Sequence, residues 1–196
     1  MSTSPFRQLL HLMLRAPLGD SAVICSGYIW EPTAGYAVLS DGLLPAIQAA
    51  CSSNILTTIA GKFYPAYYRN YYANFISRIQ AKGISVKAHY APQKNWHAKI
   101  AIRTYRGRPV AALVGSSNLT GPAYGINRKR WNYEADVLIW TSADGLDGYF
   151  RDDNLRQSLG KLELMLDREV QQPSEEEQLK AIYDDVFDTE FEEFRQ

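Results

Sequence analysis

Strand-like and helix-like segments alternate along this chain, which predicts an α/β fold: a mixed β-sheet flanked by helices, followed by an acidic helical C-terminal segment. Three observations carry that reading. Short apolar runs end repeatedly at Gly, Pro, Ser or Asn. Patterns of helical period stand between them. At 196 residues and 46% hydrophobic content, the chain is long enough for one substantial core.

The elements follow in order. Ser4 and Pro5 fit the cap and first turn of an amphipathic helix running to Arg15. That opening stretch has no basic region followed by a small-residue cleavage site, as a secretory leader would. Ser21–Ile29 reads as a buried strand, Leu39–Ala50 as a helix broken or started at Pro45, and Asn54–Gly61 as a second strand. Tyr67–Lys82 has helical spacing and stops at Gly83, a C-cap residue. Ile84–Tyr90 is a third strand. His97–Thr104 and Val110–Gly115 form a strand pair joined by a long hairpin loop with Gly107 in its turn. Tyr133–Trp140 is a further strand.

Leu146–Val170 has Leu155, Leu159, Leu162 and Leu166 on one helical face. Gln171–Ser174 breaks the pattern. Ser174 and Glu177 match a capping box, and a last helix runs toward Phe194. Its apolar stripe comprises Leu179, Ile182, Tyr183, Val186, Phe187, Phe191 and Phe194. The expected organisation is one domain over residues 1–170, with residues 171–196 packed on it or on a partner.

The net charge of zero conceals an asymmetry. Residues 1–140 hold 15 Lys and Arg against 5 Asp and Glu, whereas residues 141–196 hold 6 against 16. Basic residues gather at Arg103, Arg106 and Arg108, and again at Arg128, Lys129 and Arg130, so these six are candidate contacts to a nucleic-acid backbone. The acidic tail either solvates the molecule or covers that basic rim. Cys25 and Cys51 lie in apolar surroundings and read as buried thiols of a reducing compartment, the cytoplasm. No apolar run reaches about 18 residues, so no membrane span is expected.

The chemistry concentrates in one region. His97 and Lys99, two residues apart in an extended run, fall on one face. Gly115-Ser116-Ser117-Asn118 follows as a small polar loop, and Asn132-Tyr133-Glu134 supplies a carboxylate. An imidazole beside a fixed cation suits attack on a phosphodiester, because the cation offsets charge building on the non-bridging oxygens. His11 and His89 have no such companions and read as structural. The Tyr-rich stretch from Phe63 to Phe75 places Tyr64, Tyr68, Tyr72, Phe75 and Ile79 at helical spacing, a packing face. Tyr67, Arg69 and Tyr71 fall on the other faces and could meet substrate.

These residues, His97-x-Lys99, Gly115-Ser116-x-Asn118 and Asn132-x-Glu134, resemble the motifs of the phospholipase D superfamily, in the same order and over roughly Ile84–Trp140. The family's Asp, five positions after its Lys, is Thr104 here, a loss shared with its nuclease and restriction-endonuclease-like branch. The spacing from Lys99 to Gly115 is also longer than usual. The resemblance implies a phospholipase D-like fold and a metal-independent phosphodiesterase using neither metal nor cofactor. In it, His97 is nucleophile or general acid, Lys99 and Asn118 hold phosphate oxygens, Ser116 supports the loop or touches phosphate, and Glu134 orients the imidazole. Family sites use two His-x-Lys motifs and this chain has one. A homodimer with one composite active site is therefore expected.

The activity most in keeping with the branch and the basic residues is a nuclease, with DNA ahead of RNA as substrate. A regulatory partner protein or the acidic tail would restrain it, as in restriction or another defence. The alternatives are a phospholipase or phosphatidyl transferase, and a degenerate nucleic-acid-binding subunit.

Overall fold

The computed structural model describes residues 4–34, 37–53, 55–61, 66–91, 96–125, 134–142, 145–152, 174–188 and 192–194. Helix α1 (Pro5–Leu14) begins as its sequence predicts: Ser4 is the N-cap, its Oγ accepts from Arg7 N at 3.5 Å, and Pro5 occupies the first turn. Strand β1 (Ser21–Ser26) follows, three residues shorter at its C-terminal end than expected, because Gly27 and Tyr28 leave the ladder. The segment expected as one helix is a π-type turn (Leu39–Leu43) leading into α2 (Leu44–Ala50). Gly42, at φ 95°, supplies the left-handed conformation that divides them.

Strand β2 (Ile55–Ala60), helix α3 (Ala66–Gln80) and strand β3 (Ser85–Tyr90) lie within two residues of their expected limits, with Gly83 at φ 80° after α3. Strands β4 (Lys99–Tyr105) and β5 (Arg108–Gly115) correct one expectation. No long loop joins them; the added residues lengthen the strands instead. The turn is Arg106-Gly107, both at positive φ (51° and 76°), and a register shift at Arg103/Thr104 absorbs the odd residue. Short helix α4 (Gly121–Tyr124), strand β6 (Asp136–Trp140) and helix α5 (Leu146–Phe150) come next. The helix expected from Leu146 to Val170 instead ends at Phe150, where Arg151 caps it; its four leucines lie outside the described residues. Helix α6 (Glu175–Asp188) and the two-residue strand β7 (Glu192–Glu193) complete the chain.

Among the described residues the sheet has seven strands, in the order β6-β5-β4-β1-β2-β3-β7. β1, β2 and β3 are parallel, and the others pair antiparallel. Mixed α/β architecture with helices on the sheet is therefore what the alternation of elements predicted. One face carries Ala22, Ile24, Leu56 and Ala60 against α1, α2 and α3, forming the larger core with Met13, Leu14, Ile47, Phe75 and Ile79. On the other face, Val23, Cys25, Ile59, Ile102 and Ala112 meet Leu179 and Val186 of α6.

The acidic helix thus packs on its own sheet by an apolar stripe, with Ser174 and Glu177 closing the capping box. It ends at Asp188 rather than running to Phe194. The chain then returns to the sheet, where β7 pairs with His89 and Tyr90 and Phe194 is buried beside Tyr72 at 5.0 Å. Both cysteines are buried and free. No helix of the described residues is long and apolar enough to cross a membrane.

His11 is structural, as expected, and its setting gives the fold a pH dependence. Its Nε2 is hydrogen-bonded to the Tyr124 hydroxyl, and burial, aided by Arg15 and Arg7 and opposed by Asp41, lowers its pKa from 6.5 to about 4. The unfolded chain therefore binds the extra proton more readily. The contribution of His11 is complete above its ordinary pKa and is lost as pH falls from about 6.5 toward 4. Thermal melts from pH 7 to pH 4.5 should show a steeper loss of Tm for wild type than for His11→Gln; equal slopes would assign the acid sensitivity elsewhere.

Candidate active site

One end of the sheet gathers the residues singled out in the sequence. The C-terminal ends of β1 and β5 and the N-terminal ends of β4 and β6 all lie there, because β4 runs antiparallel to both β1 and β5 and opposes Lys99 to Ser26. This is also the carboxyl end of the parallel strands, where open α/β sheets bind ligands.

His97 lies two residues ahead of β4, exposed, and Lys99 is the first residue of that strand. The Lys99 Nζ donates to His97 Nδ1 at 2.6 Å and to the His97 carbonyl at 2.7 Å. The ammonium can only donate, so Nδ1 is the acceptor here and the ring proton of the neutral imidazole is on Nε2. Burial lowers the Lys99 pKa, while the charges of Glu134 and Tyr28 act in the opposite direction.

The polar loop after β5 is held from two sides. Ser116 Oγ donates to Glu134 Oε2 at 2.5 Å and accepts from Ala135 N at 2.9 Å. Ser117, 2% exposed, donates from Oγ to Asp136 Oδ2 at 2.6 Å and from its backbone N to Oδ1 at 3.3 Å. Burial raises the Asp136 carboxyl, the two bonds from Ser117 counter it, and the charge of Glu134 adds to the rise. Asn118 Oδ1 accepts from Tyr28 N at 3.1 Å, an assignment fixed by the backbone donor, which leaves Nδ2 as the amide's donor. Ser26 Oγ accepts from Leu119 N at 3.0 Å, and Trp30 N donates to Leu119 O at 2.8 Å, sewing the loop to the chain leaving β1.

Two glycines let these segments meet. A Cβ at Gly61 would stand 1.8 Å from the Trp96 carbonyl oxygen, and one at Gly27 would stand 2.9 Å from His97 Cδ2 and 3.1 Å from Asn118 Oδ1. Gly27 is thus the floor on which the imidazole and the Asn118 amide lie side by side. Gly27→Ala should push both outward. For a reaction carried by that imidazole, misplacement approaching an ångström costs on the order of 100-fold in rate, so any turnover there should fall about that much with KM little changed. Unaltered kcat would show that the ring position does not matter.

The structure therefore brings together His97, Lys99, Ser116, Asn118 and Glu134. The hydrogen bond described at Glu134 is to Ser116, so the carboxylate supports the loop directly. Sequence reasoning missed Gly27, Tyr28 and Asp136, and gave Ser117 no role of its own. Glycines directly after β1 and β2, and a carboxylate two residues beyond Glu134, were the available signals. Among the described residues no group of three or more His, Cys, Asp or Glu converges as a metal site.

The expected phosphate contacts in the hairpin require correction. Arg103 is 2% exposed, with its guanidinium donating to the carbonyls of Ala50 and Gly19. Arg106 lies in the turn and Arg108 follows it at the opposite end of β4, which at seven residues carries them about 23 Å from Lys99. There the Arg106 guanidinium lies 5.1 Å over the Tyr105 ring, and its backbone N donates to Asp20 Oδ2 at 2.9 Å. Thr104, at the family's Asp position, is buried at that same far end and bonded to Ser21 Oγ at 2.8 Å. Arg128, Lys129 and Arg130 lie outside the described residues, as do Asn132 and Tyr133.

No protein-family model and no curated protein matches the sequence. Among solved structures, the chain is similar to Nuc from Salmonella typhimurium, a phospholipase D family member, with 14% identity and a TM-score of 0.44 over 76% of this chain and 84% of that one. It is similar to NucT from Helicobacter pylori at 14% identity and a TM-score of 0.42, covering 81% and 92%. It is also similar to phosphatidylserine synthase from Haemophilus influenzae Rd KW20 at 16% identity and a TM-score of 0.44, spanning 90% of this chain but 42% of that one. A solved structure of a phospholipase D family member thus stands among those the chain is similar to.

Proposed function

We propose that this protein is a phosphodiesterase of the phospholipase D type, acting as a nuclease through His97. The observation that carries the reading is the 2.6 Å contact between His97 Nδ1 and Lys99 Nζ at an exposed sheet end, with the Ser116–Asn118 loop laid against it. With Lys99 on Nδ1, His97 is the neutral tautomer with its proton on Nε2. To act as the acid it must also be protonated at Nδ1, so Lys99 must first leave that nitrogen. Attack by Nε2 needs the other tautomer. A substrate phosphate that draws the ammonium onto a non-bridging oxygen frees Nδ1 to hold that proton.

One chain supplies one such imidazole, so the working unit is a homodimer with both copies of His97 at one phosphate. His97 Nε2 of one protomer attacks phosphorus, forming an N–P bond as the bond to the leaving oxygen breaks. His97 of the partner subunit, as imidazolium, protonates that oxygen. Water then attacks phosphorus, the electron pair of the N–P bond returns to His97, and the partner's His97 takes the water proton. Lys99 and the Asn118 Nδ2 donor balance charge on the phosphate oxygens, Glu134 and Asp136 hold the loop, and Arg128, Lys129 and Arg130 take the flanking backbone.

The test is cleavage of labelled single- and double-stranded DNA and RNA in excess EDTA, with acid-labile, base-stable labelling of the protein as the sign of a phosphohistidine. Cleavage that EDTA does not diminish supports the reading. Cleavage that EDTA abolishes, or that vesicles of phosphatidylcholine undergo in place of nucleic acid, overturns it.

A further inference from the structure

A continuous row of aromatic rings leads away from His97. Tyr28 meets the imidazole edge-on at 5.9 Å, Tyr68 meets Tyr28 at 5.0 Å, and Tyr67 meets Tyr68 at 4.2 Å. Tyr71 lies 6.0 Å from Tyr67, and Trp30 lies 4.6 Å from Tyr71. The row draws on two segments, the chain leaving β1 and the first turns of α3. Both are held firmly. Tyr72, buried, anchors α3 by donating to the carbonyls of Thr58 and His89 at 2.8 and 2.9 Å. The wholly buried Glu31 binds Arg78 and Leu39 N through its carboxylate, and its carbonyl accepts from Asn74 Nδ2.

Core packing does not account for these rings. On α3 the core takes Tyr72, Phe75, Ile76 and Ile79, whereas Tyr67 and Trp30 remain 45% and 40% exposed. Tyr68, expected on the packing face, turns instead toward Tyr28. Arg69, exposed, follows Tyr68 in α3.

We infer that the row Tyr28, Tyr68, Tyr67, Tyr71 and Trp30 is a stacking subsite for unpaired nucleobases flanking the scissile phosphate, which makes single-stranded nucleic acid the substrate class. This rests on the reading of His97 as the phosphate site. Its physical basis is that a ring in contact with the reacting imidazole lies where the neighbouring nucleotide must. Base–ring stacking is tolerant of sequence, whereas a duplex keeps its base faces occupied by their neighbours.

The experiment measures binding of fluorescent oligothymidylate, an abasic strand of the same length, and a matching duplex to the His97→Ala protein. Trp30→Leu and Tyr67→Leu are then added singly. Oligothymidylate should bind more tightly than the other two, and each ring removal should weaken it by about 5- to 150-fold while leaving the abasic strand unaffected. Equal affinity for oligothymidylate and the abasic strand overturns the subsite, as does unchanged binding in both variants. Loss of the dimer in those variants, by light scattering, would make the row a protomer interface. Ring-dependent binding to phosphatidylglycerol vesicles, but not to oligothymidylate, would make it a lipid surface. Wild-type cleavage run alongside separates the two claims. Cleavage indifferent to the ring variants removes the subsite alone, and ring-dependent binding without cleavage removes the nuclease reading alone.

Discussion

His97→Ala should lose cleavage by on the order of 1,000-fold or more, because in the proposed site the same residue is nucleophile in one protomer and acid in the other. The ring is exposed and lies on Gly27, so its removal opens no core cavity and the melting temperature should barely move. The decisive form of the experiment mixes wild-type and variant chains and lets subunits exchange. If one phosphate needs both imidazoles, a mixed dimer is dead, and activity falls with the square of the wild-type fraction. If each chain carries its own site, activity falls linearly. A linear fall, or substantial activity in pure His97→Ala, would sink the composite site. Lys99→Ala provides a graded comparison: it loses the cation beside Nδ1 but keeps both rings, so it should be impaired less than His97→Ala.

The residues of this site were legible to differing degrees, for physical reasons. His97 and Lys99 could be paired from sequence because an extended chain puts residues two apart on one side, a local property that survives whatever the sheet does. Ser116 and Asn118 required knowing that β5 returns antiparallel along β4, which a hairpin turn such as Arg106-Gly107 announces. That Tyr28 belongs to the site was not legible. It depends on β4 pairing with β1 across a gap of more than 70 residues, and such pairing is decided by tertiary packing. The same reasoning failed at Arg103, Arg106 and Arg108. Their nearness in sequence to Lys99 suggested nearness in space, whereas an extended strand is the conformation that separates neighbours fastest. Helix α6 was readable as amphipathic, and Leu179 and Val186 are the residues it buries. That its partner is the sheet face bearing Cys25 and Ile102 was not.

The second large effect expected is at Arg103, and it is on stability. The guanidinium reaches the carbonyl of Ala50, the last residue of α2, and the carbonyl of Gly19 at 2.9 Å, so one cation ties a helix C-terminus and a loop to β4. A cation at that helix end is favoured by the helix dipole. Gly19, at φ 137°, permits the approach, since a Cβ there would stand 2.3 Å from Arg103 Nε. Burial lowers the Arg103 pKa, the sign of a charge held in a desolvated place by its hydrogen bonds. Arg103→Ala would strand the buried carbonyl of Ala50 and the half-buried carbonyl of Gly19 and leave a cavity, at a combined cost of about 3 to 5 kcal/mol. Urea unfolding should register that loss, whereas Arg106→Ala and Arg108→Ala should stay within about 0.5 kcal/mol of wild type, as exposed positions do. The salt dependence of DNA binding gives an independent reading. Removing a phosphate contact lowers the slope of log affinity against log salt by about 1. Neither Arg106→Ala nor Arg108→Ala should change it, because both lie at the end of β4 away from His97. A reduced slope in either variant would return the hairpin to the nucleic-acid path and require the bound strand to run the full length of β4.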